Sequence, residues 1–201
     1  MATTTVDTDV LIIGAGMSGL CFAIQLQQRY PQRTFTLLEK TDNLGGTWWV
    51  NTYPGCGCDV ASHFYSYSFA PKPDWSQAYS LQPEIWAYLR DVATRYDVAR
   101  HIRYRSTVQS ARFDKTTGTW VTTVLEEQTT GARTREVRSR VLVAAVGALS
   151  IPKGCEIPGV DRFQGRLFHS ARWDHSFDWT DKEVVVIGST FPLLSPRTVM
   201  C

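Results

Sequence analysis

Gly14-Ala15-Gly16-Met17-Ser18-Gly19 carries glycines in the spacing G-x-G-x-x-G, and Glu39 follows further along the chain. Residues of these types in this order can hold a dinucleotide. Gly14 permits a tight turn, Gly16 lets the backbone approach a pyrophosphate, and Gly19 allows a helix to pack closely on a strand. A helix opening after Gly16, with Ser18 in its first turn, would aim N–H groups and positive potential at the phosphates. Glu39 can accept hydrogen bonds from ribose hydroxyls, which disfavours a 2′-phosphate and with it NADP at this site. The spacing leaves FAD and NAD both open. Metal or thiol chemistry has less behind it. Cys21, Cys56, Cys58, Cys155 and Cys201 are odd in number, and Cys56-Gly57-Cys58 has one intervening residue where zinc sites use two. They read as reduced thiols with no metal. His63, His101, His169 and His175 are scattered, and none pairs at helical ligand spacing.

The elements needed to position the glycines are legible on either side of them. Val10-Leu11-Ile12-Ile13 is a short apolar strand, and Leu20, Ala23, Ile24 and Gln27 recur at helical spacing until Tyr30-Pro31. Thr34 to Glu39 follows as a second strand, which completes βαβ syntax. Residues 40–80 are rich in Gly, Pro, Asn and aromatics, so a long ordered loop is expected there. From Pro83 a helix is predicted, with Ile85, Leu89, Val92, Ala93 and Tyr96 on one face. The period then changes to two. Ser106 to Asp114, Gly118 to Glu126 and Arg133 to Arg138 read as an antiparallel meander with turns at 116–118 and 129–131. Val141 to Val146 is apolar throughout and is expected to be a strand buried on both faces, ending at Gly147. After a connector over 150–183, Val184 to Gly188 opens what reads as another buried strand.

Composition narrows the function classes. Among 201 residues, 43% are hydrophobic and 20% charged, enough to bury a core. Lys+Arg 21 against Asp+Glu 19 leaves a net charge of +2, too balanced for a nucleic-acid footprint. The longest apolar run, Val141 to Leu149, is about half of a bilayer span. The first residues show neither a basic n-region nor an apolar h-region. The expectation is a cytoplasmic protein with a small-molecule partner, no nucleic acid and no membrane. Its oligomeric state is left open.

Further motifs go beyond composition. Gly45-Gly46-Thr47-Trp48, Tyr53-Pro54-Gly55-Cys56-Gly57-Cys58-Asp59 and Phe163-x-Gly165-x-x-x-His169-x-x-x-Trp173-Asp174 stand in this order. Gln82-Pro83-Glu84-Ile85, the Val143-to-Gly147 strand end and Ile157-Pro158-Gly159 accompany them. From about residue 8 to 188 the chain resembles the Baeyer–Villiger-type flavin monooxygenases, in particular fungal members of secondary metabolism. In that family FAD, reduced by NADPH, reacts with O2, and oxygen is inserted beside a ketone carbonyl. The cofactor carries the difficult chemistry while the protein positions and shields it.

The resemblance implies an α/β fold: a Rossmann-type FAD-binding domain over 8–150, with a parallel sheet and a three-stranded antiparallel meander. A linker with the family signature would occupy 151–183, and 184–201 would be the truncated start of an NADPH-binding domain. By the same resemblance, Gly14, Gly16, Ser18, Gly19 and Glu39 would hold the ADP half of FAD. Thr47, Trp48, Trp49 and Val50 would line the flavin, Tyr65 would sit near the isoalloxazine, and Val108 near the adenine. Gly57 and Cys58 would lie beside the cofactor, and Asp59, the catalytic candidate, would place a buried negative charge next to flavin and nicotinamide that orients the partner groups. Phe163, Gly165, His169, Trp173 and Asp174 would couple the two cofactor domains, with His169 as a hinge residue.

The sequence also departs from the family. Gly57 stands where a basic residue is common, and Val146 where a Thr often precedes the glycine. After Gly188, Thr190 and Leu193 replace the second and third glycines of the expected fingerprint, and Pro192 and Pro196 fall inside the expected helix. A second dinucleotide-binding domain therefore reads as aborted, and this chain is not expected to bind NADPH. It is expected to hold flavin weakly, to dissolve poorly and to be inactive alone. The alternatives are a non-catalytic FAD-binding remnant, or a partner that complements a separate chain.

Overall fold

The structure is a computed structural model and describes residues 5–129 and 131–188. Strand β1 (Thr8–Ile13) forms from the first apolar run, with Leu11 and Ile12 fully buried. Helix α1 (Met17–Arg29) follows the glycine turn and buries Gly19, Leu20, Ala23 and Ile24. It stops at Tyr30, whose N–H still bonds to the Leu26 carbonyl just before Pro31. Strand β2 (Phe35–Leu38) returns parallel to β1. Residues 40–80 are mostly irregular, as their composition predicts, with a single-turn helix α2 (Thr47–Val50) and a 3₁₀ turn at Ser62–Phe64. Helix α3 (Gln82–Arg95) then buries Ile85, Leu89, Val92 and Ala93 along the predicted face. Tyr96 lies just beyond it and is half-buried.

Strands β3 (Ile102–Arg103), β4 (Ser106–Asp114), β5 (Thr119–Gln128) and β6 (Gly131–Ala144) complete a six-stranded sheet in the order β3-β2-β1-β6-β5-β4. Four strands on one side pair parallel, and β6-β5-β4 pair antiparallel. This is an α/β fold with the expected meander. A core of Leu11, Leu38, Val124 and Val137, with Val108 and Leu142 against it, spans both halves of the sheet.

Strand β6 differs from expectation. Arg133–Arg138 and Val141–Val146 read as two strands, but residues 133–144 belong to one, which changes partner midway and ends at Ala144, short of the expected Val146. Its first part pairs antiparallel with β5, and its last part runs parallel to β1. Ser139 faces Trp120 on one side and Thr8 on the other. Nor is its apolar end buried on both faces, since Val141 is 46% and Val146 54% exposed. Pairing on both sides shields its backbone, while part of the strand's face remains open.

The expected buried strand at 184–187 is likewise corrected. These residues join no strand of the sheet, and Val185 and Ile187 are exposed. Val184 and Val186 are half-buried, so the neighbours among the described residues cover the run only in part. The expected failed fingerprint after Gly188 lies outside the described residues.

The chain clusters into two units, Met1–Gly46 with Leu89–Ala148 and Thr47–Tyr88 with Leu149–Cys201. The whole sheet belongs to the first. Among the described residues, no helix is long and apolar enough to cross a membrane.

Candidate functional site

In the first unit the glycine turn is tied into the sheet. The Gly14 N–H donates to the Leu38 carbonyl at 2.8 Å, and the Ala145 N–H donates to the Ile13 carbonyl at 2.8 Å. Gly14 has φ +99°, and a Cβ there would lie 2.5 Å from the Ala145 oxygen. A Cβ on Gly19 would lie 1.9 Å from the Gly14 oxygen. Both glycines are thus demanded by the fold's own backbone. Gly16 is different: a Cβ there meets nothing closer than the Gly46 Cα at 3.6 Å, an ordinary contact. The chain's packing does not require glycine at this position, whereas close approach of a pyrophosphate would. No side chain caps the start of α1, its first turn has no acidic residue, and Ser18 is exposed there. Its N–H groups and positive potential therefore fit an anion.

Glu39 lies just past β2 and is 4% exposed. Its Oε2 accepts from the Ala15 N–H at 2.9 Å, within the glycine turn itself. Its Oε1 accepts from the Thr41 N–H at 3.0 Å and the Thr41 hydroxyl at 2.9 Å. Backbone bonds fix Glu39 on both sides, from its N–H to the Arg103 carbonyl and from the Ser106 N–H to its carbonyl. Burial and the Glu39 charge push the nearby Tyr104 phenol upward. Strand β4 leaves from Ser106, and Val108 on it is half-buried. The turn, the carboxylate and the start of β4 therefore converge, and the residues fit the ADP half of a dinucleotide. Sequence reasoning did not single out Thr41 as a partner of Glu39. It quoted Gly45-Gly46 only as part of a motif, yet the Gly45 N–H bonds to the Ala15 carbonyl at 2.9 Å and brings Gly46 against Gly16.

In the second unit, α2 buries Trp48, whose indole N–H donates to the Tyr65 hydroxyl at 3.1 Å with the rings edge-on. The Gln82 side chain donates to the Trp48 carbonyl. Burial raises the Tyr65 phenol. Trp49 packs on Trp86 at 5.2 Å, while Thr47 and Val50 are exposed. Gly57 bridges to Leu81, and the Cys58 N–H donates to the Ser80 carbonyl at 3.2 Å. The Cys56 and Cys58 thiols are buried, and desolvation raises both. They are shielded from thiolate chemistry rather than poised for it. Asp59 is exposed, which corrects the expectation of a buried acid: the residue lies in the stretch between the bonds that tie Cys58 and Ser62 to residues 78–80. Among the described residues, no group of three or more His, Cys, Asp or Glu could hold a metal.

The signature stretch has a local physical logic. The Phe163 ring folds back over Gly165, where a Cβ would lie 2.4 Å from the ring. His169 caps the 3₁₀ turn Ser170–Arg172, its Nδ1 accepting from the Ala171 N–H at 3.0 Å. Asp174 accepts from the Ser176 hydroxyl and N–H and pairs with Arg166 at 2.8 Å. These contacts, the Ser176 hydroxyl first, hold its carboxyl at about 2. Trp173 meets Phe168 edge-on at 5.3 Å. Phe163, Trp173, Phe177, Trp179 and Ile187 help line a cavity of about 580 Å³ within this unit.

The flavin-binding monooxygenase-like family model matches residues 7–191, and the chain belongs to that family. It is 44% identical over 183 residues to the FAD-binding monooxygenase ktnD of Aspergillus niger, covering 90% of this chain and 30% of that one. It is 43% identical over 180 residues to a Baeyer-Villiger monooxygenase of Streptomyces coelicolor, covering 90% of this chain and 33% of the relative. The crystal structure of OTEMO in complex with FAD and NADP matches with a TM-score of 0.79 at 32% identity, over 92% of this chain and 35% of that chain. The chain spans about a third of the length of these relatives.

Proposed function

We propose that residues 8–150 bind FAD as the flavin-holding part of an NADPH-consuming monooxygenase of Baeyer–Villiger type, with 151–183 as linker and 184–201 as the opening of an NADPH-binding domain. The observation that carries this reading is the site around Gly16: a turn whose other glycines the fold requires, with this one left for a ligand. When bound, FAD supplies the oxygen chemistry. The chain's own residues do the rest. Gly14, Gly16, Ser18 and Gly19 bring N–H groups to the pyrophosphate, and Glu39 accepts from the adenosine ribose, with Val108 toward the adenine. Trp48 and Tyr65, locked to each other, would form with Thr47, Trp49 and Val50 an aromatic wall that excludes water from the flavin. Gly57 and Cys58 would support that wall through backbone bonds, and the exposed Asp59 would orient the nicotinamide side. Phe163, Gly165, His169, Trp173 and Asp174 would form the joint between cofactor domains. A ketone of secondary metabolism is the substrate class we favour, on the aromatic character of residues 40–80. A cytoplasmic, reducing setting fits the buried free thiols.

A second reading, that these residues hold FAD without turning over or complement a separate chain, draws on the sequence after Gly188. There Thr190 and Leu193 stand in place of fingerprint glycines, and Pro192 and Pro196 are residue types that disfavour a pyrophosphate-binding helix. One experiment separates the readings. The 201-residue chain is loaded with FAD and mixed anaerobically with NADPH. Binding without bleaching is expected for the chain alone. Bleaching would instead assign it the reductive half of the reaction, ketone-dependent NADPH consumption in air would assign it the whole, and failure to take up FAD would remove the proposal.

A further inference from the structure

The Glu39 carboxylate offers roughly four lone-pair sites. Three are already used: one on Oε2 by the Ala15 N–H and two on Oε1 by the Thr41 N–H and hydroxyl. Thr41 is itself held, because its carbonyl accepts from the Arg105 N–H at 2.8 Å. Its hydroxyl also lies 2.8 Å from the Asn43 carbonyl. With a single proton between two acceptors, the charged carboxylate attracts it more strongly. The carboxylate is thus clamped at one oxygen and open at the other.

We propose that Thr41 is a positioning residue for cofactor binding: it clamps Oε1 of Glu39 so that the remaining acceptor on Oε2, beside the glycine turn, receives one ribose hydroxyl of FAD. The inference rests on the FAD reading above and deepens it. A side chain as long as glutamate loses rotamer freedom when it binds a ligand. Thr41 removes that freedom beforehand, and a preorganised acceptor binds more tightly than a mobile one.

The test is FAD titration, followed by flavin fluorescence, of the wild-type chain, Thr41→Val and Thr41→Ser, each repeated in a Glu39→Gln background. Thermal melts of every variant confirm that it is folded. Loss of one charge-assisted hydrogen bond predicts that Thr41→Val weakens FAD binding about five- to twentyfold, while Thr41→Ser stays within about twofold. In the Glu39→Gln background Thr41→Val should add less than about twofold, since the group it positions is altered. Wild-type affinity in Thr41→Val, an equal loss in Thr41→Ser, or an undiminished loss in the Glu39→Gln background would each overturn the proposal while leaving the FAD site standing. If the wild-type chain takes up no FAD, the functional reading and this inference fall together. Should Thr41→Val fail to fold, Thr41→Ala takes its place under the same criteria.

Discussion

Tyr53 packs its phenol beside the Cys56 thiol, and burial pushes that phenol up to about 12. The sign of the consequence follows from linkage. The folded state keeps the proton to higher pH than the unfolded chain, so the contribution to stability is intact below pH 10 and is lost between about 10 and 12. Tyr53→Phe should flatten that part of the stability-versus-pH curve, measured by denaturant melts, and should remove one late step from the ultraviolet titration of the tyrosines. A curve unchanged by the substitution would show that the phenol is more open to water than its surroundings indicate. The same scale shows what a sequence can disclose. The position of Glu39 beside the glycine turn was legible because it depends on spacing after that turn, and spacing is written in the chain. Thr41 was not, because a hydroxyl's partner is chosen by rotamer and local turn, neither of which has a period. The burial of Asp59 was misjudged for a related reason: a carboxylate's burial depends on where its loop is tied down, and Asp59 lies between the ties at Cys58 and Ser62.

Among the elements, β6 does the most to place the glycine turn, since the Ala145 N–H just beyond it bonds to the end of β1. Ser139 is where its two pairings meet. Proline has no N–H and does not suit an interior strand, so Ser139→Pro should strain the antiparallel and parallel ladders together. Loss of cooperative thermal unfolding by circular dichroism is the expected result. A variant that melts within a few degrees of wild type would show that the two halves of the sheet are joined elsewhere. The strands flanking this point were legible by alternation and by apolar character, but their continuity was not. A change from alternating to wholly apolar residues looks like the end of one strand and the start of another. The physical difference is only a change of neighbour, and Ser139-Arg140 contains no Gly, Pro, Asn or Asp that would have marked a real break. Helix α3 was read more fully, because Ile85, Leu89, Val92 and Ala93 keep one period along its length.

At the scale of the whole molecule, several large apolar side chains stand exposed among the described residues. Leu149 is 87%, Ile151 85% and Val185 70% exposed. Exposed apolar groups of this size favour association, and a charge placed among them opposes it. Val185→Lys should reduce concentration-dependent light scattering and the fluorescence of a bound hydrophobic dye, with the circular dichroism spectrum unchanged. Equal scattering from the variant would move the sticky surface elsewhere. The α/β class was readable from the sequence as far as Ala144, where local patterns and sheet neighbours agree. Beyond it, apolar residues alone predicted burial that the described neighbours do not provide. The pairing of β1 with β6 also has a temporal side. Ile13 is made well before Ala145, so the bond between them closes a long loop and contributes only once Ala145 has emerged. One bond that holds the turn suited to a ligand therefore waits on a residue made long after the turn itself.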